Sequence, residues 1–316
     1  MVNRFTIVVL STFALAACHA FAPRPGVQQA AATPASSNAW DGMYDNHAQV
    51  WTAHEAGQAL APPHLVVVIQ PLREAGWSLW QLRLDVVPPV QATWAMQRTG
   101  SGQDVVLLPH RALQVAATDG AFDPAQWAPL QACALHASGG TPAQLVGDAA
   151  ACATIAPELG AQAALLPLAV EQAGDRLRLR LYADQARGPD AHEDARRVEP
   201  FHGWAAINGA GPAALANSAD WHMDRALEFG SEGGTRALHW RDGKPSGWSL
   251  LLERLTYRDG NVPVLKLSVV EDASGRTLAY AWANDEATRI GINLGWLQVG
   301  LERGPPAVSA EARARH

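Results

Sequence analysis

Along residues 78–86 apolar and polar side chains alternate, with Trp80, Leu82, Leu84 and Val86 on one side and Gln81, Arg83 and Asp85 on the other. A period of two sends one face of an extended chain into a core and the other into water, so the stretch predicts a half-buried strand, stopped by Pro88-Pro89. Residues 176–182 repeat the pattern, Leu177, Leu179 and Leu181 against Arg176, Arg178 and Arg180. Joined through Ala173-Gly174-Asp175 to the apolar run 165–171, they predict a hairpin. Residues 64–69 are a continuous β-branched run closed by Pro71, which also reads as a strand. A second hairpin is predicted from 92–97 and 105–115, across the turn residues 99–102.

Helical signals are few. Asp45 or Asn46 can accept from the free amides of a following turn, and His47, Trp51 and Glu55 then share a face at i, i+4 spacing. The stretch 41–51 therefore reads as a loop entering a short helix that ends near Gly57. Asp123-Pro124 places a capping acid before a proline at the first helical position, predicting a short helix into Cys133. Residues 139–160 specify no clear strand, and the charged stretch 184–198 reads as an exposed loop. Asn208-Gly209-Ala210-Gly211-Pro212 marks a boundary. Beyond it, 248–257, 264–270, 278–282 and 290–301 read as a four-stranded meander, with Gly291, Gly295 and Gly300 bending the last strand. Many short strands with regular turns and few helices make the fold mainly β, an antiparallel barrel in preference to a sandwich, because closure removes edges and can enclose a pocket.

The N-terminus divides the chain further. One base, Arg4, precedes an apolar run that is too short to span a bilayer and suits a signal-peptide core. The run ends in Leu15-Ala16-Ala17-Cys18, which resembles the lipobox of bacterial lipoproteins; an ordinary signal peptide with an incidental Cys18 is the plain alternative. Residues 1–17 are thus read as a lipoprotein signal peptide and 18–38, rich in Pro, Ala, Ser and Gln, as a flexible linker. Residues 39–212 are read as the barrel, 213–304 as a meander that extends it or forms a second domain, and 305–316 as a tail. His19 after the cysteine favours the outer membrane, by resemblance to lipoprotein sorting, so the expected address is the cell envelope, anchored through lipid at Cys18 and facing the periplasm or the surface.

Charge and cysteines narrow the chemistry. Without residues 1–17 the chain keeps 23 basic against 30 acidic side chains, a balance that argues against a nucleic-acid partner. Cys133 and Cys152 remain as an even pair in an exported chain, which predicts a disulfide; a metal site with His136, or two free thiols, are the alternatives. None of the signatures H-E-x-x-H, G-x-S-x-G, P-loop or paired C-x-x-C occurs, and His47, His54 and His64 lack zinc-type spacing, so no metal is expected. Twelve tryptophans stand out. Most belong in a core; a few, with arginines such as Arg83, Arg98 or Arg111, can line a cavity for a planar ligand with acidic groups.

The stretch Asp41-Gly42-Met43-Tyr44-Asp45-Asn46-His47-Ala48-Gln49-Val50 resembles the G-x-Y-D-N-x-x-Q segment near the start of the CpcT/CpeT family of phycobiliprotein chromophore lyases, including its exported bacterial relatives. The run from His64 to Leu72, the Trp127–Cys133 segment, the second cysteine and the 165–182 hairpin follow in family order, and the likeness covers about residues 41–204. It implies a calycin-like antiparallel barrel that holds a linear tetrapyrrole, with lyase-type activity by resemblance only. No cofactor is required by any motif; a tetrapyrrole or another planar or lipid-like small molecule is the expected ligand. The candidate ligand-binding residues are Tyr44, Asp45, Asn46, Gln49, Trp80, Arg83 and Trp94. For the first four, the plain alternative is that they cap the helix and seal one end of the barrel. Two other classes stay open: a structural or assembly lipoprotein with a packed barrel, and a hydrolase using carboxylates such as Asp45 and Glu55.

Overall fold

Two antiparallel sheets follow one another along the chain in the computed structural model, which describes residues 40–113, 122–139, 144–215, 217–257 and 262–304. The signal peptide, Cys18, the linker, the tail 305–316 and the last two residues of the expected 105–115 strand lie outside these. The first sheet holds β1 (Gly42–Asp45), β2 (His64–Pro71), β3 (Trp77–Asp85), β4 (Val90–Thr99), β5 (Val106–Ala112), β6 (Trp127–Pro129), β7 (Leu135–Ala137), β8 (Gln144–Gly147), β9 (Pro167–Ala173), β10 (Arg176–Leu181) and β11 (Glu193–Arg197). All but β6 close into a ten-stranded barrel, in the order β1, β2, β3, β4, β5, β7, β8, β9, β10, β11 and back to β1. The seam is β1 on β11, with Tyr44 opposite Arg197 and Asp45 opposite Arg196. Helix α1 (His47–Glu55) leaves β1 directly, and α2 (Ala149–Ala153) and α3 (Ala156–Leu159) lie between β8 and β9.

Period-two patterning does most of this work. Trp80, Leu82 and Leu84 of β3 and Leu177, Leu179 and Leu181 of β10 all point into one buried cluster with Tyr44, Leu65, Val67, Ile69, Trp94 and Met96. Val86 falls outside it because β3 ends at Asp85, and its side chain is exposed. A 3-10 segment, Gly160–Leu165, places Ala163 and Leu165 in the same cluster, and the Leu165 carbonyl accepts from Trp94 Nε1 at 3.0 Å. Each large side chain removed from water in this way contributes about 1.5–3 kcal/mol. Cys133 and Cys152 are buried and disulfide-bonded with Cα atoms 4.6 Å apart, tying α2 to the turn Gln131–Cys133. That excludes the metal site and the free thiols for this pair.

The second sheet contains β12 (Pro200–Asn208), β13 (Trp221–Gly230), β14 (Gly233–His239), β15 (Pro245–Tyr257), β16 (Val262–Glu271), β17 (Arg276–Asn284), β18 (Arg289–Asn293) and β19 (Leu297–Arg303). Its order is β17, β16, β15, β14, β13, β12, β19, β18, a nearly closed sheet around a second core that includes Phe201, Leu250, Leu252, Leu267 and Leu297.

Several expectations change. Residues 42–45 are a strand and not a loop, because Tyr44 supplies a core side chain while the backbone pairs on both sides. The helix expected from Asp123 is a single turn, Pro124–Gln126, because the next residues pair with β5 as β6. The stretch 184–198 is not an exposed loop: it supplies β11, and Asp184 and Glu193 are buried. Residues 290–301 form two strands and not one, turning at Gly295 with φ of 82°. The sheet changes between Arg197 and Pro200, ahead of the Asn208–Pro212 turn, so β12 belongs with the meander.

Candidate functional site

The stretch Tyr44 to Gln49 is built around hydrogen bonds that leave little free. Asp45 Oδ1 accepts from the His47 amide at 2.7 Å and so starts α1, whereas Asn46 makes no capping bond. Asn46 is instead fully buried. Its Oδ1 accepts from the Leu65 amide at 2.7 Å, and its Nδ2 donates to the Pro63 carbonyl at 2.9 Å and to Glu193 Oε2 at 2.6 Å. Gln49 donates to the His192 carbonyl and accepts from the Asp194 amide, both at 2.9 Å. Tyr44 is buried, and its hydroxyl accepts from Arg197 Nη2 at 2.6 Å. Tyr44, Asn46 and Gln49 therefore clamp the barrel seam.

The clamp is electrically loaded. Glu193 has no exposed side-chain surface and pairs with Arg187, which also binds the buried Asp184 at 2.8 Å. Burial raises the Glu193 pKa and Asp184 raises it further, against the opposing pull of Arg187 and of the Asn46 amide.

Trp80 and Trp94 lie wholly within the first core, and their indole N–H groups bond to Ser78 Oγ and the Leu165 carbonyl, each at 3.0 Å. Arg83 points outward from β3, half exposed and paired with Asp85. The sequence candidates thus divide: Tyr44, Asn46, Gln49, Trp80 and Trp94 sit in the core and seam, while Asp45 and Arg83 reach a groove on the outside of the barrel.

That groove encloses about 1200 Å³ between the outer faces of β1 to β4 and of β13 to β15. Met43, Val66 and Val68 form its apolar wall on the barrel side; Leu251 faces them from the second sheet. The signal for it was in the chain. The unbroken run of β2 buries Leu65, Val67 and Ile69 in the barrel and turns Val66 and Val68 to the groove, and in Leu250-Leu251-Leu252 the middle residue does the same from the second core.

One margin of the groove is ionisable. His64 lies between two carboxylates, Nε2 at 2.8 Å from Asp45 Oδ1 and Nδ1 at 2.8 Å from Asp85 Oδ2. The hydrogen bond to Asp45 leads in raising its pKa to about 8, so at neutral pH it is an imidazolium donating from both nitrogens. His47 packs edge-on against it, ring centroids 6.2 Å apart, and burial lowers its pKa. Its Nε2 is buried without a partner. His47 thus borders the groove as a neutral ring with its Nε2 buried, whereas His54 and Glu55 are exposed further along α1. No serine or cysteine lines the groove, and no group of three or more metal-binding side chains occurs among the described residues.

The geometry defines a groove with an apolar floor and a polar margin. No protein-family model, curated protein or solved structure matches the chain.

Proposed function

We propose that the protein is a lipid-anchored envelope protein of CpcT/CpeT-like build that binds a small planar or lipid-like amphiphile in the groove between its two sheets. The observation that carries this reading is the groove itself. It is slightly larger than the roughly 300–1,000 Å³ usual for small-molecule sites and combines facing aliphatic walls with a few placed polar groups. Arg83 and Arg236 at its margin suit the acidic groups of such a ligand. A linear tetrapyrrole fits this description as cargo. The disulfide consumes both cysteines among the described residues, so the reading is of non-covalent carriage, with no attachment to this chain.

The test is native mass spectrometry of the protein purified from its own envelope, followed by titration with biliverdin and with a lysophospholipid. Val66→Glu and Leu251→Glu are expected to abolish uptake while circular dichroism stays unchanged. Uptake of neither probe, together with the absence of a co-purifying small molecule, would remove this reading. The packed first barrel favours a second reading in that event, a non-catalytic structural or assembly lipoprotein.

A further inference from the structure

A neighbouring part of the surface carries a second site, which shares His202 with the lining of the groove. On the outer face of the second sheet, three cross-strand rows run across β12, β19 and β18. Trp204 lies opposite Gly300, which lies opposite Gly291. On one side of this row come His202, Glu302 and Arg289, and on the other Ala206, Gln298 and Asn293. Directly opposed residues of an antiparallel pair share a face about 5 Å apart, so the three rows make one small, flat field.

Its centre is an aromatic plate. A Cβ on Gly300 would stand 3.0 Å from Trp204 Nε1 and 3.2 Å from Cε2, so the indole lies over the glycine with no side chain beneath it. The ring is accessible from solvent: Trp204 is 37% exposed, and its Nε1 forms no hydrogen bond. The next position along the row is Gly291, so nothing rises beside the plate. The two flanks are polar and nearly neutral in sum. Arg289 Nη2 pairs with Glu302 Oε1 at 3.1 Å. Asn293 Oδ1 accepts from the Gly295 amide at 2.9 Å, which fixes the amide and leaves its Nδ2 hydrogens to point elsewhere; Gln298 is its cross-strand neighbour.

We propose that this face is a carbohydrate-binding site in which a pyranose ring stacks on Trp204. The apolar C–H face of a sugar suits an accessible indole plate, and its equatorial hydroxyls need donors and acceptors at the rim, which the amides and the Arg289–Glu302 pair supply. The charge balance selects against the alternatives: there is no cluster of bases for a nucleic acid or an anionic lipid surface, and no net charge for a small ion. A neutral, hydroxyl-rich ring is the complementary partner.

Calorimetric titration of the full chain with the tetrasaccharides of β-1,4-linked glucose, β-1,4-linked N-acetylglucosamine and α-1,4-linked glucose tests this. At least one is expected to bind. Trp204→Ala is expected to weaken that binding by about tenfold or more, the loss of one stacked aromatic. Gly300→Ala is expected to weaken it as well by displacing the plate, with every rim residue intact. Trp282→Ala, which removes another exposed aromatic of the same sheet, is expected to leave it unchanged. Equal melting temperatures of the variants secure the comparison. Heat from none of the three sugars overturns the proposal, as does equal affinity of wild type and Trp204→Ala. Concentration-dependent dimerisation that vanishes with Trp204→Ala also overturns it, in favour of self-association.

Discussion

The two sheets manage their last strands in opposite ways. In the first, β11 completes the ring, although its sequence Glu-Asp-Ala-Arg-Arg is the most charged of any strand, and Asn46 and Arg187 hold Glu193 while Tyr44 holds Arg197. In the second, β17 and β18 are joined by four residues and never exchange a ladder bond, although Ile290 and Ile292 are apolar and buried. Closure of a barrel is thus not a matter of supplying a hydrophobic strand. It follows from whether the backbone edges meet, and a polar strand can serve if each buried charge finds a partner.

That contrast can be broken from the core outward. Trp94→Ala is expected to cost about 3–5 kcal/mol, since it empties the centre of the first barrel and orphans the Leu165 carbonyl. Chemical denaturation should show the loss in the first barrel and leave the second core unaffected. Replacing Cys133 and Cys152 together by alanine should cost about 3 kcal/mol, the chain-entropy value for a loop of this length. Denaturation of the wild type with and without reductant provides the matching measurement. Asn46→Ala should cost about 2 kcal/mol, because it strips partners from the Leu65 amide and from Glu193 inside the seam. A loss equal to that of a surface substitution would mean that the charged strand closes the ring without its clamp.

The smallest expected effect is a pH dependence that involves the second sheet. Glu232 is almost wholly buried, and both its oxygens lack hydrogen bonds, with Arg196 and Arg254 no nearer than 3.8 Å. Burial raises its pKa to about 7 from an ordinary 4.5. A carboxyl raised on folding stabilises the fold below its unfolded pKa, and that stability fades as pH climbs through the folded value. Glu232→Gln should therefore gain stability relative to wild type between pH 5 and pH 8, on the order of 1–3 kcal/mol. His64 acts in the same direction: its stabilisation is complete below pH 6.5 and is lost as pH rises through about 8. Urea midpoints across this range that fall for Glu232→Gln relative to wild type would show that the two arginines, and not burial, govern the site.

How much of this was visible beforehand depends on how each strand is stabilised. Wherever one face is core and the other water, as in β3 and β10, the alternation revealed the strand and its inward residues. The disulfide followed from counting. What escaped was structure held by partners distant in sequence. The segment Glu193–Arg197 looks solvated until Asn46 is placed beside it, and β12 to β14 alternate small and polar residues with too little contrast. In the candidate site, Asp45 and Arg83 reach the groove, but Trp80 and Trp94 illustrate the limit of composition: an abundant aromatic says that something is filled without saying whether by protein or by guest. Two-sided apolar runs, in β2 and at Leu250–Leu252, were the more informative signal.

The unjoined edges of β17 and β18 have a mechanical consequence. A ring with all its rungs resists being widened, because every outward displacement must break hydrogen bonds somewhere. A ring with one missing row of rungs is a split collar, able to spread at the slit by bending its remaining strands. Trp204 sits two strands from that slit, and the groove is bordered by the far arm of the same collar, so of the two walls of the groove the second sheet is the one whose ladder is not continuous all the way round.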